Sequence, residues 1–173
     1  MASEYSLWLL PGADCEPVLA AAIARLSAEL GGAHFAPHLT IQGDIGLPLE
    51  RLTGPASKLA ARISRQRWRV QQVECGTHFF RSLYLRFAVE PAFADMQNTS
   101  LALTGTRDGL SPFAHLSLAY GPPHPHSARL CRMLFGEFAA KVITFDCLAI
   151  SRSSSTVPIP EWECLARYSL TAT

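Results

Sequence analysis

Pro37-His38-Leu39-Thr40-Ile41-Gln42-Gly43 and Ala114-His115-Leu116-Ser117-Leu118-Ala119-Tyr120 carry the same tetrad: histidine, leucine, hydroxyl residue, aliphatic residue. Side chains alternate across a strand, so His38 and Thr40 share one face and Leu39 and Ile41 the other. His115 and Ser117 are set against Leu116 and Leu118 in the same way. Each tetrad therefore predicts a strand that buries two aliphatic residues and presents an imidazole beside a hydroxyl. One histidine on an alternating strand is ordinarily structural. Two copies, 77 positions apart and at matching places in a repeated plan, point to a site.

That plan is visible on either side of the tetrads. Before the first, residues 5–10 form an apolar run closed by Pro11-Gly12, a strand and a turn, and Asp14 is placed to cap a helix. Leu19, Ile23, Leu26 and Leu30 then recur at helical spacing over 18–30, and Gly31-Gly32 stops them. After the first tetrad, whose strand is 38–43, an amphipathic helix over 49–64 uses Leu52, Leu59 and Ile63. Strands are predicted over 67–75 and 79–89, the second alternating Leu83, Leu85 and Phe87 with Tyr84, Arg86 and Ala88. A helix over 91–103 and a polar loop over 105–112 precede the second tetrad, in strand 114–120. A helix over 127–140, a strand over 142–150, a Ser/Pro loop and a strand over 162–170 complete the chain. Helices interleaved with strands cover one sheet face and leave the other for a cleft.

Composition limits the function. With 173 residues the chain can build one full domain, or two lobes sharing a sheet, without covalent staples. Hydrophobic residues make up 49% and charged residues 17%, the latter below the usual value of about 25%. The net charge of +1 gives no overall field to hold a long polyanion, so any phosphate chemistry is local. The five cysteines are odd in number and show neither Cys-x-x-Cys nor zinc spacing, which predicts reduced, mostly buried thiols. No signal-peptide pattern opens the sequence and no apolar run is long enough to span a bilayer. The expectation is a cytoplasmic, soluble monomer with no membrane partner.

The tetrads suit phosphoryl chemistry. Imidazole titrates near pH 6.5, so one of a pair can take a proton from attacking water while the other gives one to the leaving oxygen. Hydroxyls at Thr40 and Ser117 can donate to the non-bridging phosphate oxygens. This scheme calls for neither metal nor cofactor.

On these residues the sequence resembles the two-histidine (2H) phosphoesterase superfamily, and within it the plant-type cyclic phosphodiesterases. The likeness runs through Ser6-Leu7-Trp8-Leu9-Leu10-Pro11, the two tetrads with Phe35-Ala36-Pro37 before the first, Gly76-Thr77-His78-Phe79-Phe80 and Trp162. The resemblance implies an α+β, bilobal fold over residues 1–173. Its two pseudo-symmetric lobes, each with antiparallel sheet and helices, would flank a central cleft. It also implies hydrolysis of nucleoside 2',3'-cyclic phosphates or ADP-ribose 1'',2''-cyclic phosphate. His38 and His115 would then be the acid–base pair, Thr40 and Ser117 the phosphate ligands, and Trp8, Phe79 and Tyr120 the aromatic contacts to substrate. Strict alternation turns Tyr120 away from His115 unless the strand ends there, as Gly121-Pro122 permits. Two other functions fit the same motifs: processing of RNA ends or 2'-5' linkages, and nucleotide binding without turnover. His78 reads as a rim residue, His34, His124 and His126 as exposed, and Arg62, Arg65, Arg67 and Arg69 as a solvated cluster.

Overall fold

The computed structural model describes residues 4–172. Seven strands and four helices follow the expected order: β1 (Tyr5–Pro11), α1 (Glu16–Leu30), β2 (Leu39–Ile45), α2 (Leu49–Ala60), β3 (Gln66–Cys75), β4 (Leu83–Phe87), α3 (Glu90–Thr104), β5 (His115–Ala119), α4 (Ser127–Phe138), β6 (Val142–Arg152) and β7 (Glu163–Ser169). The fold is α+β. All strands join one antiparallel sheet in the order β2-β1-β6-β3-β4-β5, with β7 on β6. β6 is long enough to pair with β3 through residues 142–145 and with β7 through 147–152.

The two lobes are not the two halves of the chain. β1 and β2 receive β6 from the second half, while β4 and β5 receive β3 from the first. The path is thus two three-strand sets, β2-β1-β6 and β3-β4-β5, that have exchanged their third strands. Helices are exchanged as well: α1 packs on β5 and α3 on β2, while α2 lies on β6 and β7 and α4 on β3 and β4.

Curling brings the two ends of the sheet together, and β2 touches β5. The loop before β5 completes the contact. Gly43 N–H donates to Gly109 O at 2.7 Å and Ser111 N–H to Ile41 O at 3.2 Å. Gly109 has φ +70°, and a Cβ there would stand 1.8 Å from Gly43 O, so only glycine allows the approach. Buried Gln42 secures the same loop: its Nε2 donates to Thr106 O and Asp108 O, and its Oε1 accepts from Ser100 and Thr104 hydroxyls.

The tetrads pack as their alternation requires. Leu39, Ile41, Leu116 and Leu118 are all fully buried and join one core with Leu7 and Leu9 of β1, Ile23 and Leu26 of α1, Phe93 of α3 and Leu134 of α4. Burial of each such side chain is worth about 1.5–3 kcal/mol, enough to fix which face the histidines take. No helix among the described residues is long and apolar enough to cross a membrane.

Several expectations need correction. The residue before α1 is Cys15, with no side-chain cap, and Asp14 instead accepts from the Thr144 hydroxyl at 3.3 Å. α2 stops at Ala60, because the chain beyond it pairs near the C-terminus: Arg65 N–H donates to Thr171 O and Thr171 N–H to Ile63 O. Strand 79–89 is shorter than expected, since Phe79–Arg81 is a 3-10 turn and β4 starts at Leu83. The five cysteines are unpaired as expected, but Cys15 alone is buried; Cys75 is exposed and the other three are half-buried. Cys131 packs against the edge of the core.

Candidate active site

His38 stands one residue before β2, and His115 is the first residue of β5. The two are held alike. Nδ1 of His38 lies 2.7 Å from Ala36 O, and Nδ1 of His115 lies 3.0 Å from Phe113 O, each carbonyl two residues upstream. A carbonyl only accepts, so Nδ1 carries the hydrogen in both rings and Nε2 is left as the acceptor. His38 Nε2 accepts from the Tyr120 hydroxyl at 3.2 Å. His115 Nε2 makes no hydrogen bond among the described residues, while Ser111 Oγ sits 3.3 Å from its Nδ1.

Both imidazoles are buried, His38 at 4% and His115 at 8% exposure, yet both line one cavity together with Thr40 and Ser117. Its volume is about 230 Å³, just under the usual small-ligand range of about 300–1,000 Å³. Burial first, and then the nearby charge of His115, pull the His38 pKa down to about 4 against the opposing pull of the Ala36 carbonyl. His115 is likewise lowered to about 4, by burial above all and then by Arg81, His78 and Arg86, against the Phe113 carbonyl. Both rings are neutral at pH 7 with the cleft empty of anions.

The hydroxyls differ. Thr40 Oγ makes no hydrogen bond among the described residues and can donate into the cleft. Ser117 Oγ donates to Phe80 O at 2.9 Å, so its one proton is already engaged.

The aromatic residues divide. Trp8 lies face to face with His38, ring centroids 3.7 Å apart and planes 17° from parallel. Its contact is with the imidazole, although it also lines the cavity. Tyr120 follows the last residue of β5 and precedes Gly121 at φ +136°. Freed from strand alternation, it turns inward, stacks on Phe35 at 3.9 Å and reaches His38. Phe79 is corrected: it is 48% exposed and lines a different hollow, beside Pro122 and His124. The 3-10 turn at Phe79–Arg81 replaces the expected strand, and it sends Phe80 and Arg81 to the cleft instead.

Arg81, Phe80 and Trp162 all line the cavity and were not singled out as site residues from the sequence. Arg81 was hidden inside a strand that does not form; Gly76 and His78 before it were the signal for a turn. His78 is on the rim, its Nδ1 accepting from Phe80 N–H at 3.3 Å. His34 and His126 are exposed as expected, whereas His124 is half-buried, its carbonyl accepting from Ser127 Oγ at 2.7 Å. Arg62, Arg65, Arg67 and Arg69 are exposed and outside the cleft. Among the described residues, no group of three His, Cys, Asp or Glu side chains is placed to hold a metal ion.

No family model and no curated protein matches the sequence. Solved structures do match in three dimensions. The crystal structure of TT0787 of Thermus thermophilus aligns over 99% of both chains with TM-score 0.61 at 16% identity. E. coli LigT complexed with 3'-AMP aligns over 99% of both chains with TM-score 0.59 at 14% identity. A structure described as a phosphoesterase covers 98% of this chain and 99% of its own, with TM-score 0.55 at 15% identity. At these identities the likeness is one of fold: the chain has the LigT-like phosphoesterase fold.

Proposed function

We propose that the protein is a 2H phosphoesterase, nearest the plant-type cyclic phosphodiesterases, whose single two-lobed domain over residues 1–173 hydrolyses cyclic phosphodiesters without a metal. One observation carries the reading. Two buried imidazoles, from opposite ends of one sheet, enter a single cavity with Nδ1 fixed on a carbonyl and Nε2 left as the acceptor, met in His38 by the Tyr120 hydroxyl and in His115 by no group among the described residues, each ring two residues from a hydroxyl. Solved structures of LigT with 3'-AMP, NADP+ and ATP support a nucleotide-sized substrate, such as a nucleoside 2',3'-cyclic phosphate or ADP-ribose 1'',2''-cyclic phosphate.

In this scheme water attacks phosphorus, giving its proton to Nε2 of one neutral histidine. The ring P–O bond breaks, and the leaving oxygen takes a proton from Nε2 of the other histidine. Substrate supplies the condition for that second role. The phosphate's negative charge, set between two rings held near pKa 4, favours protonation of one of them. Thr40 and, after release from Phe80, Ser117 donate to the non-bridging oxygens. Each acid or base contribution is worth about 10²–10⁴ in rate.

The test is turnover of both classes of cyclic phosphate in EDTA, with phosphorus NMR of the products. His38→Ala and His115→Ala are each expected to lower kcat by at least about 100-fold. Undiminished turnover in the double variant overturns the reading.

A further inference from the structure

One wall of the cleft, built from β1, β2 and the segment after β6, holds Ser6, Asp44, Ser153, Ser154 and Ser155. It is a constructed wall. Ser6 Oγ donates to Ser153 O at 2.8 Å, and Ser153 N–H donates to Glu4 O at 2.7 Å. Ser155 donates to Asp44 Oδ1 through its N–H at 2.8 Å and its hydroxyl at 3.0 Å. Asp44 itself has φ +50°.

Two polar groups of this wall are left over. Ser153 is 1% exposed and its hydroxyl has no hydrogen-bond partner among the described residues. Buried hydroxyls are almost always paired; Ser151 and Ser153 both lack a partner among the described residues, and of the two only Ser153 belongs to the cavity wall, where a small rotation of its side chain lets a ligand complete the bonding. The second oxygen of Asp44 also makes no hydrogen bond among the described residues. A carboxylate accepts and never donates, so its ligand must carry an N–H or O–H. Its charge also repels a further phosphate, so that group is uncharged.

We propose that this serine and aspartate wall binds an uncharged, hydrogen-donating group of the substrate, a sugar hydroxyl or a nucleobase amino group. It thereby selects what is attached to the phosphate, an inference that rests on the phosphoester reading of the histidine pair. Arg81 and His78 line the same cavity from the turn before β4.

The variants are chosen to leave the fold intact. Asp44→Asn keeps an oxygen for Ser155, and asparagine tolerates positive φ. Ser153→Ala removes a hydroxyl that bonds to nothing. Calorimetry with inorganic phosphate, ribose 2-phosphate and adenosine 2'-monophosphate is expected to show equal or slightly tighter phosphate binding in Asp44→Asn. Ribose 2-phosphate should gain affinity over phosphate if the wall holds sugar hydroxyls, and adenosine 2'-monophosphate alone should gain if it holds the base. Asp44→Asn should weaken the favoured ligand about tenfold, and Ser153→Ala should weaken it in the same direction. Absence of phosphate binding to the wild type overturns the phosphoester reading and this inference with it. Phosphate binding with no gain from sugar or base, or with a gain unchanged in both variants, overturns this inference alone.

Discussion

The Tyr120 hydroxyl lies 3.2 Å from Nε2 of His38, while the equivalent nitrogen of His115 has no partner among the described residues. Two otherwise matched imidazoles are thereby made unequal. A phenol donating to Nε2 stabilises the neutral ring, and it must give way whenever that nitrogen takes up a proton.

Tyr120→Phe should therefore raise the His38 pKa from its value of about 4 and leave that of His115 nearly unmoved. Imidazole NMR titration reads both directly. The kcat/KM profile should shift to higher pH with it, and a His38 titration unchanged by the substitution would contradict the assignment of the phenol as donor.

Burial of both rings makes stability sensitive to acid. In the unfolded chain each histidine binds a proton at about pH 6.5, while in the folded protein it waits until about pH 4. The unfolded state thus holds more protons in that window, so stability falls as pH drops from about 6.5 to about 4. The loss amounts to about 3 kcal/mol per ring at about 1.4 kcal/mol per pKa unit. Urea unfolding at pH 7 and pH 4.5 should show a smaller acid loss in His38→Gln than in the wild type; an equal loss would rule out this source.

Two glycines of similar φ should respond differently to alanine. Gly105 has φ +72° with nothing within 4 Å of an added methyl group, whereas at Gly109 the methyl meets Gly43 O at 1.8 Å. Gly105→Ala should cost only backbone strain, about 1 kcal/mol. Gly109→Ala should cost at least about 2 kcal/mol more and lower kcat, because it pushes the loop leading to His115 off β2. Denaturant unfolding and turnover of the two variants, side by side, check both.

Arg81 lines the cleft and forms no salt bridge among the described residues. Arg81→Gln should raise KM about 3- to 10-fold with kcat little changed, the signature of an interaction made equally in ground and transition states. Raising salt should weaken substrate binding by the wild type more than by the variant. A fall in kcat at constant KM would instead place Arg81 at the transition state.

Much of this was legible in the sequence because two periodicities were clean. Leu39 and Ile41, like Leu116 and Leu118, announced their strands and fixed the face left to the histidines. Gly31 marked a helix end and closes α1 in the left-handed conformation, as Gly105, the first residue of the expected polar loop, closes α3. The region from 78 to 82 was not legible. Phe79 shares the parity of Leu83 and Leu85 and draws the expected strand forward, although Phe80 and Arg81 break the alternation; His78 Nδ1 captures Phe80 N–H and starts a turn, a local bond that alternation does not report. Nor could the exchange of β3 and β6 be read, since strand pairing between distant segments leaves no trace in either segment's own pattern. Arg81 and the serine wall reach the cleft only through those long-range placements.

The exchanged helices have a consequence for how the protein can be divided. The end strand bearing His115 is backed by α1, and the one bearing Thr40 by α3, so each half of the gene encodes the support for the other half's reactive edge. A fragment ending between β3 and β4 would expose apolar strands and hold one histidine of the cleft without the other, whereas the two complementary fragments, produced together, should reassemble. The pair of histidines is in this sense a joint possession, created only when both halves are present.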